Sequence, residues 1–159
     1  MKRRRTTLVF ILLTLGIAVA ACGDDSSGSS ATTGGITVPS GGVTVNVEVS
    51  DTVGTDGPET LVPDPVSVAA GDVTFTVENT GTIKHEVVAL KTDVAFDQLP
   101  VGESEADKVD EATSVGEVEV EAGETGSFTV TGLEAGKYVL VCNIAKHYAL
   151  GMRAAFTVT

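Results

Sequence analysis

Gly136-Lys-Tyr-Val-Leu-Val-Cys-Asn-Ile-Ala-Lys-His-Tyr-Ala-Leu-Gly-Met-Arg153 is the stretch whose reading decides the fold. It opens with Tyr138–Val141, an aromatic and β-branched run after a turn glycine, which predicts a strand. Cys142, His147 and Met152 follow as C-x4-H-x4-M, and Ala154–Thr159 reads as a second strand. A thiolate, an imidazole and a thioether on one loop between two strands make a soft donor set that suits copper better than any other common metal. A trigonal His₂Cys set with a weak axial Met needs one more histidine. His85 is the residue available for it.

The chain has two His, two Met and two Cys. Met1 is the initiator and Cys22 lies in a leader-like segment, so the body of the chain holds one Cys, two His and one Met, each with one place in the set. Singly, these types have ordinary roles: a lone Cys or Met fills core, and a lone His sits on the surface. Together, at loop spacing, the metal reading outweighs the ordinary ones, and one Cu(I)/Cu(II) ion is the expected cofactor. Zinc would gain little from the thioether. A binuclear copper site would need a second Cys, and multicopper enzymes would need more His. Cys142 as a nucleophile with His147 is the enzymatic alternative, but no further His or convergent acid marks an active site.

With these residues in place, the chain resembles the cupredoxins, small type 1 blue copper proteins of the plastocyanin and azurin superfamily. The resemblance rests on Gly136-x-Tyr138-x-x-x-Cys142 with the downstream His and Met, and it extends over about Val43 to Thr159. The spacing is that of longer-looped members such as rusticyanin, auracyanin and sulfocyanin. The resemblance implies an all-β Greek-key antiparallel sandwich and a non-enzymatic electron carrier with copper on His85, Cys142, His147 and Met152. It also implies an electron port at the edge of His147, within an apolar patch to which Ala145, Tyr148 and Leu150 would contribute for partner docking. Tyr148 and Leu150 have inward packing as their alternative. Glu86 and Asn143, each next to a ligand, are the expected tuning positions. The family usually has Asn or Ser after the first histidine, and here Glu86 stands there. Its backbone N–H can still serve the thiolate, and its carboxylate would favour Cu(II) or even offer an oxygen.

Lys2 and Arg3–Arg5 precede an apolar run of fourteen residues, Leu8–Ala21, too short for a comfortable membrane span and the right length for a signal peptide. Val19-Ala20-Ala21-Cys22 resembles a bacterial lipobox, which would make residues 1–21 the signal and Cys22 a lipidated N-terminus. An ordinary cleaved signal or a retained anchor are the other readings. Residues 22–42 are rich in Gly, Ser and Thr and read as a flexible linker, with a reach of roughly 25 Å. Four of the ten basic residues lie in positions 2–5 while all 22 acids follow, so the mature chain carries six cations and a net charge of −16. That excludes a nucleic-acid binder and points to a basic protein partner, a cytochrome c or a membrane oxidase, met by a monomer at the outer face of the membrane. A copper carrier or storage lipoprotein is the competing function.

In the body, residues 43–159, Val43–Val49 alternates apolar with polar, as does Val73–Val77, and both predict half-buried strands. Asp51–Pro65, with three prolines, predicts a loop or irregular edge. After the Asn79-Thr80-Gly81 turn, His85 starts a strand, and Glu117–Glu121, Gly126–Thr131 and Tyr138–Cys142 add more, for some seven or eight in all. Between them, residues 97–114 predict a short helical or irregular insertion. Ser104 and Asp107 would cap a helix reaching Ala112, with an acidic face that is either a docking patch or simply solvated.

Overall fold

The structure, a computed structural model, describes residues 42–51, 59–102 and 107–159. The expected signal peptide 1–21, Cys22, and the linker up to residue 41 lie outside the described residues. The strands expected from alternation form. They are β1 (Val43–Ser50), β2 (Thr60–Asp64), β3 (Ser67–Val68), β4 (Gly71–Asn79), β5 (His85–Lys91), β6 (Val101–Gly102), β7 (Lys108–Val109), β8 (Ser114–Val120), β9 (Thr125–Leu133), β10 (Gly136–Cys142) and β11 (Arg153–Val158). One short helix, α1 (His147–Leu150), lies between β10 and β11. Eight of these strands have five residues or more.

One sheet has the order β2-β1-β4-β9 and the other β3-β11-β10-β5-β8, with β6-β7 as a separate small hairpin. Crossings from β4 to β5, β8 to β9 and β9 to β10 pass between the sheets, as a Greek-key sandwich requires. The sandwich is not wholly antiparallel. β1 runs parallel to β4, pairing Val45 with Phe75, and β11 runs parallel to β3. The segment expected as an irregular edge contains β2, whose Pro63 faces Val47. A proline is tolerated there because β2 is an edge strand with no further neighbour to receive an N–H.

Between the sheets lies a core of Val45, Val47, Phe75, Val77, Leu140 and Phe156, among others, with Cys142 and Met152 at one end of it. Phe75 stacks on Phe128 and meets Phe156 edge-on. A second apolar cluster occupies the outer face of the second sheet, where Val88, Leu90, Val139, Val141 and Tyr148 are covered by Leu99 and Val109. β5 and β10 are therefore buried on both faces, which is why they read as continuous apolar runs and not as alternation.

No helix is found at residues 107–112. Lys108–Val109 is a strand paired with Val101–Gly102, and Asp107 has a left-handed φ of 61°. Ser104 and the first residues of the expected helix lie outside the described residues. Val109 is needed to cover the outer face of β5 and β10, and that burial outweighs the local capping signal.

Candidate metal centre

His85 enters the site from a turn held on every side. Asn79, itself buried, donates from Nδ2 to the carbonyls of Ile83 (2.8 Å) and Val120 (3.0 Å), and its Oδ1 accepts the Gly81 N–H at 2.9 Å. Asp51 accepts from the Thr82 N–H and hydroxyl, both at 2.6 Å, and from the Ile83 N–H at 3.3 Å. Gly81 is the residue for this turn because a Cβ there would run into the Asp51 carboxylate. β5 begins at His85 with the ring turned between the sheets.

The other three residues come from the β10–β11 connection, which is stitched to itself. The Cys142 N–H donates to the Met152 carbonyl (3.0 Å), the Met152 N–H to the His147 carbonyl (3.1 Å), and the His147 N–H to the Ile144 carbonyl (3.1 Å). Gly151 ends α1 with φ 119°, a conformation that L side chains rarely adopt, and so delivers Met152 into the core. Arg153 braces the loop, donating to the Tyr148 carbonyl at 2.7 Å while its guanidinium lies over the Tyr148 ring.

The result is a triangle of donor atoms. His85 Nδ1 and His147 Nδ1 are 3.2 Å apart, and Cys142 Sγ lies 3.7 Å from the first and 3.5 Å from the second. A point equidistant from all three lies about 2 Å from each, close to ordinary metal–nitrogen and metal–sulfur bond lengths. Met152 is fully buried in the same end of the core. The donor set thus fits one copper ion, with the thioether as the weak fourth donor.

The electrostatics suit a metal and little else. Burial pushes the Cys142 thiol up to about 11, against the backbone N–H groups of Glu86 and Ile144, which favour the thiolate. The Glu86 N–H stands 3.4 Å from Sγ. Burial lowers both imidazoles below the ordinary histidine range, so both are neutral near pH 7 and free to ligate. His85, Cys142 and Met152 have no exposed surface, and His147 has 7%.

Several expected positions take different roles. The Glu86 side chain leaves β5 on the face opposite His85 and groups with Glu111 and Glu117, so it is not an oxygen donor to the centre. Strand alternation dictates this, since adjacent residues point to opposite faces. Asn143 does not touch the thiolate. It accepts the Val109 N–H at 2.8 Å and donates to the Val109 carbonyl (3.0 Å) and to Glu111, tying the ligand loop to β7. Tyr148 is 5% exposed and drops out of the docking face. Its hydroxyl accepts the Leu99 N–H and donates to the Phe96 carbonyl, both at 2.9 Å. Leu150 is 39% exposed and Ala145 is half-buried, while Phe96, whose carbonyl accepts the Tyr148 hydroxyl, is 41% exposed.

Two acids at the centre carried no signal in the sequence. Asp51 Oδ1 lies 3.2 Å from His85 Nε2, and Glu59 Oε2 lies 3.2 Å from His147 Nδ1. Burial works to raise the Asp51 carboxyl, but bonds from Thr82, Ile83 and His85 outweigh it and bring it down to about 2. Burial raises the Glu59 carboxyl. Both follow or precede a strand with no periodicity to mark them, and only the pairing of β1 with β2 and β4 brings them to the histidines.

Comparison with known proteins gives a consistent answer. The profile of copper binding proteins of the plastocyanin/azurin family matches residues 44–159. No protein with a curated description matches the chain in sequence. Among solved structures, rusticyanin from Thiobacillus ferrooxidans is 21% identical, with a TM-score of 0.52, over 74% of this chain and 79% of rusticyanin. Dithionite-reduced auracyanin from Roseiflexus castenholzii is 23% identical, with a TM-score of 0.49, over 74% of this chain and 99% of its own. Auracyanin A from Chloroflexus aurantiacus is 21% identical, with a TM-score of 0.48, over 73% and 99%. The likeness to rusticyanin supports the fold.

Proposed function

Because the chain belongs to the plastocyanin/azurin family of copper-binding proteins, we propose that it is a mononuclear type 1 copper protein that shuttles single electrons at the outer face of the membrane. The observation that carries this reading is the Nδ1–Nδ1–Sγ triangle sealed inside the sandwich, with only His147 reaching the surface. Bound copper supplies a Cu(II)/Cu(I) couple. The residues around it hold their places between the two states: His85 through the Asp51 turn, Cys142 and Met152 through their mutual backbone bond, and His147 through α1. A rigid frame of this kind keeps structural change small when one electron arrives or leaves. The His147 edge, with Leu150 exposed on the same loop, is the contact through which a redox partner reaches the centre.

The competing readings fit less well. A copper carrier must open to release its metal, yet three of the four ligands are fully buried and come from two distant chain segments at strand ends. A buried thiol pushed up to about 11 is a poor nucleophile at neutral pH, which weighs against a Cys142–His147 hydrolase. The leader, the lipobox-like Cys22 and the linker support an extracytoplasmic, lipid-anchored monomer, and a basic cytochrome c or membrane oxidase complements its negative charge.

Copper loading of the protein should yield the intense thiolate-to-copper absorption and a mononuclear Cu(II) EPR signal. Cys142→Ser should abolish the band, and its survival would refute the assignment. Met152→Leu should keep the colour and raise the potential, because a donor to the oxidised metal is lost. For the anchor, a fatty-acid probe should label the membrane fraction in cells making the full chain and not the Cys22→Ala variant. A soluble, unlabelled wild type would make the protein simply secreted.

A further inference from the structure

Asp51 directly follows β1 and Glu59 directly precedes β2, and the two carboxylates reach the metal centre together. Each meets a different histidine. The Nδ1 of His85 faces the donor triangle, so its Nε2 carries the proton and donates to Asp51 Oδ1 at 3.2 Å. Glu59 Oε2 stands 3.2 Å from His147 Nδ1 without a hydrogen bond to it. That nitrogen is directed instead at His85 Nδ1 and Cys142 Sγ. Oε2 is thus a buried carboxylate oxygen with no partner, a costly arrangement unless a positive charge lies close by. Among the described residues neither acid is paired with Lys or Arg. Neither acid has an oxygen close enough to all three of the His85, Cys142 and His147 donor atoms to share one ion with them, so both act beside the ligands and not as ligands.

We propose that Asp51 and Glu59 are a pair of half-buried anions, one on each histidine, that favour Cu(II) over Cu(I) and hold the reduction potential of the centre low. The inference rests on the copper reading above. One electron taken up from a redox partner leaves the site one charge more negative, with no bond or proton moved. Two fixed anions at the margin of the interior, less screened than surface charges, oppose that change. Asp51 acts through His85: sharing the Nε2 proton makes Nδ1 a stronger donor, which benefits the oxidised metal more. Glu59 acts through space, at the ligating nitrogen of His147. The acidity of the protein surface cannot do the same work, because salt screens exposed charges and not these.

The test is voltammetry on copper-loaded protein, comparing wild type with Asp51→Asn, Glu59→Gln and Glu134→Gln. The last removes an exposed charge from the turn before β10, at the strand end away from Cys142. Asp51→Asn and Glu59→Gln should both keep the thiolate band and shift the potential upward by more than the control. The shift should persist at about 1 M salt, where surface charges are screened. Pulsed EPR gives an independent reading on the wild type alone. The remote nitrogen of one copper-bound imidazole should show a weaker quadrupole coupling than the other, because its proton is shared with Asp51, and Asp51→Asn should remove the difference. Two equivalent remote nitrogens in the wild type, or potentials matching the control with the band intact, would overturn the proposal while leaving the copper function standing. A wild type with no thiolate band would sink both.

Discussion

At the scale of single residues, Asp51 shows how one side chain serves fold and site together. It fastens the Thr82–Ile83 turn that launches β5 and holds the outer edge of His85. Its carboxyl sits at about 2 in the folded protein against 3.8 for an ordinary aspartate. A depressed carboxyl contributes stability that is full above its unfolded value and is lost as pH falls through its folded value. In metal-free protein, Asp51→Asn should therefore cost roughly 1–2 kcal/mol near pH 7, solvent reaching part of the carboxylate and weakening its bonds. The gap to wild type should close between about pH 4 and pH 2. Urea titrations across that range check it, and a pH-independent gap would mean that Asp51 acts by packing alone. Nothing in the sequence around Asp51 announces this role, since it looks like the polar residue that ends a strand.

At the scale of elements, the described residues of the excursion between β5 and β8 cover the second sheet and form no helix. Leu99 and Val109 cover β5 and β10, and two side chains of the ligand loop, Tyr148 and Asn143, pin it down. The uninterrupted apolar runs Val87–Leu90 and Tyr138–Val141 were the legible sign that something covers both faces. What covers them was not legible, because the segment's own pattern favours a capped helix and its true partners are far away in sequence. Tyr148→Phe keeps the ring and strands the Leu99 N–H, so it should cost about 1–3 kcal/mol in chemical denaturation. The copper band should stay as it is, since the hydroxyl faces the excursion. A variant as stable as wild type would mean water replaces the hydroxyl.

At the scale of the whole molecule, the proposed function gives charge and apolar surface different parts in meeting a partner. In the proposed shuttle, the net charge of −16 left by removal of residues 1–21 would draw a basic partner over long distances, and the exposed Leu150 on the His147 loop would make the brief contact. Stopped-flow reduction by a basic cytochrome c should slow as ionic strength rises from about 10 mM to 0.15 M, over which the screening length falls from about 30 to 8 Å. An acidic cytochrome should show the opposite trend. A rate indifferent to salt would remove the electrostatic argument for a basic partner.

The ligand set was legible in the sequence because its identity is chemical and its spacing local: Cys142, His147 and Met152 share one loop, and the inventory left His85 as the only histidine to complete them. The sandwich was legible because residue alternation has a period that burial imposes directly. Tertiary structure alone decided the rest. It made β1 run parallel to β4, turned Tyr148 inward, and set Asp51 and Glu59 against the histidines. These outcomes depend on which chain segments become neighbours across the sheets, and a pairing between residues dozens of positions apart leaves no periodic trace in either partner.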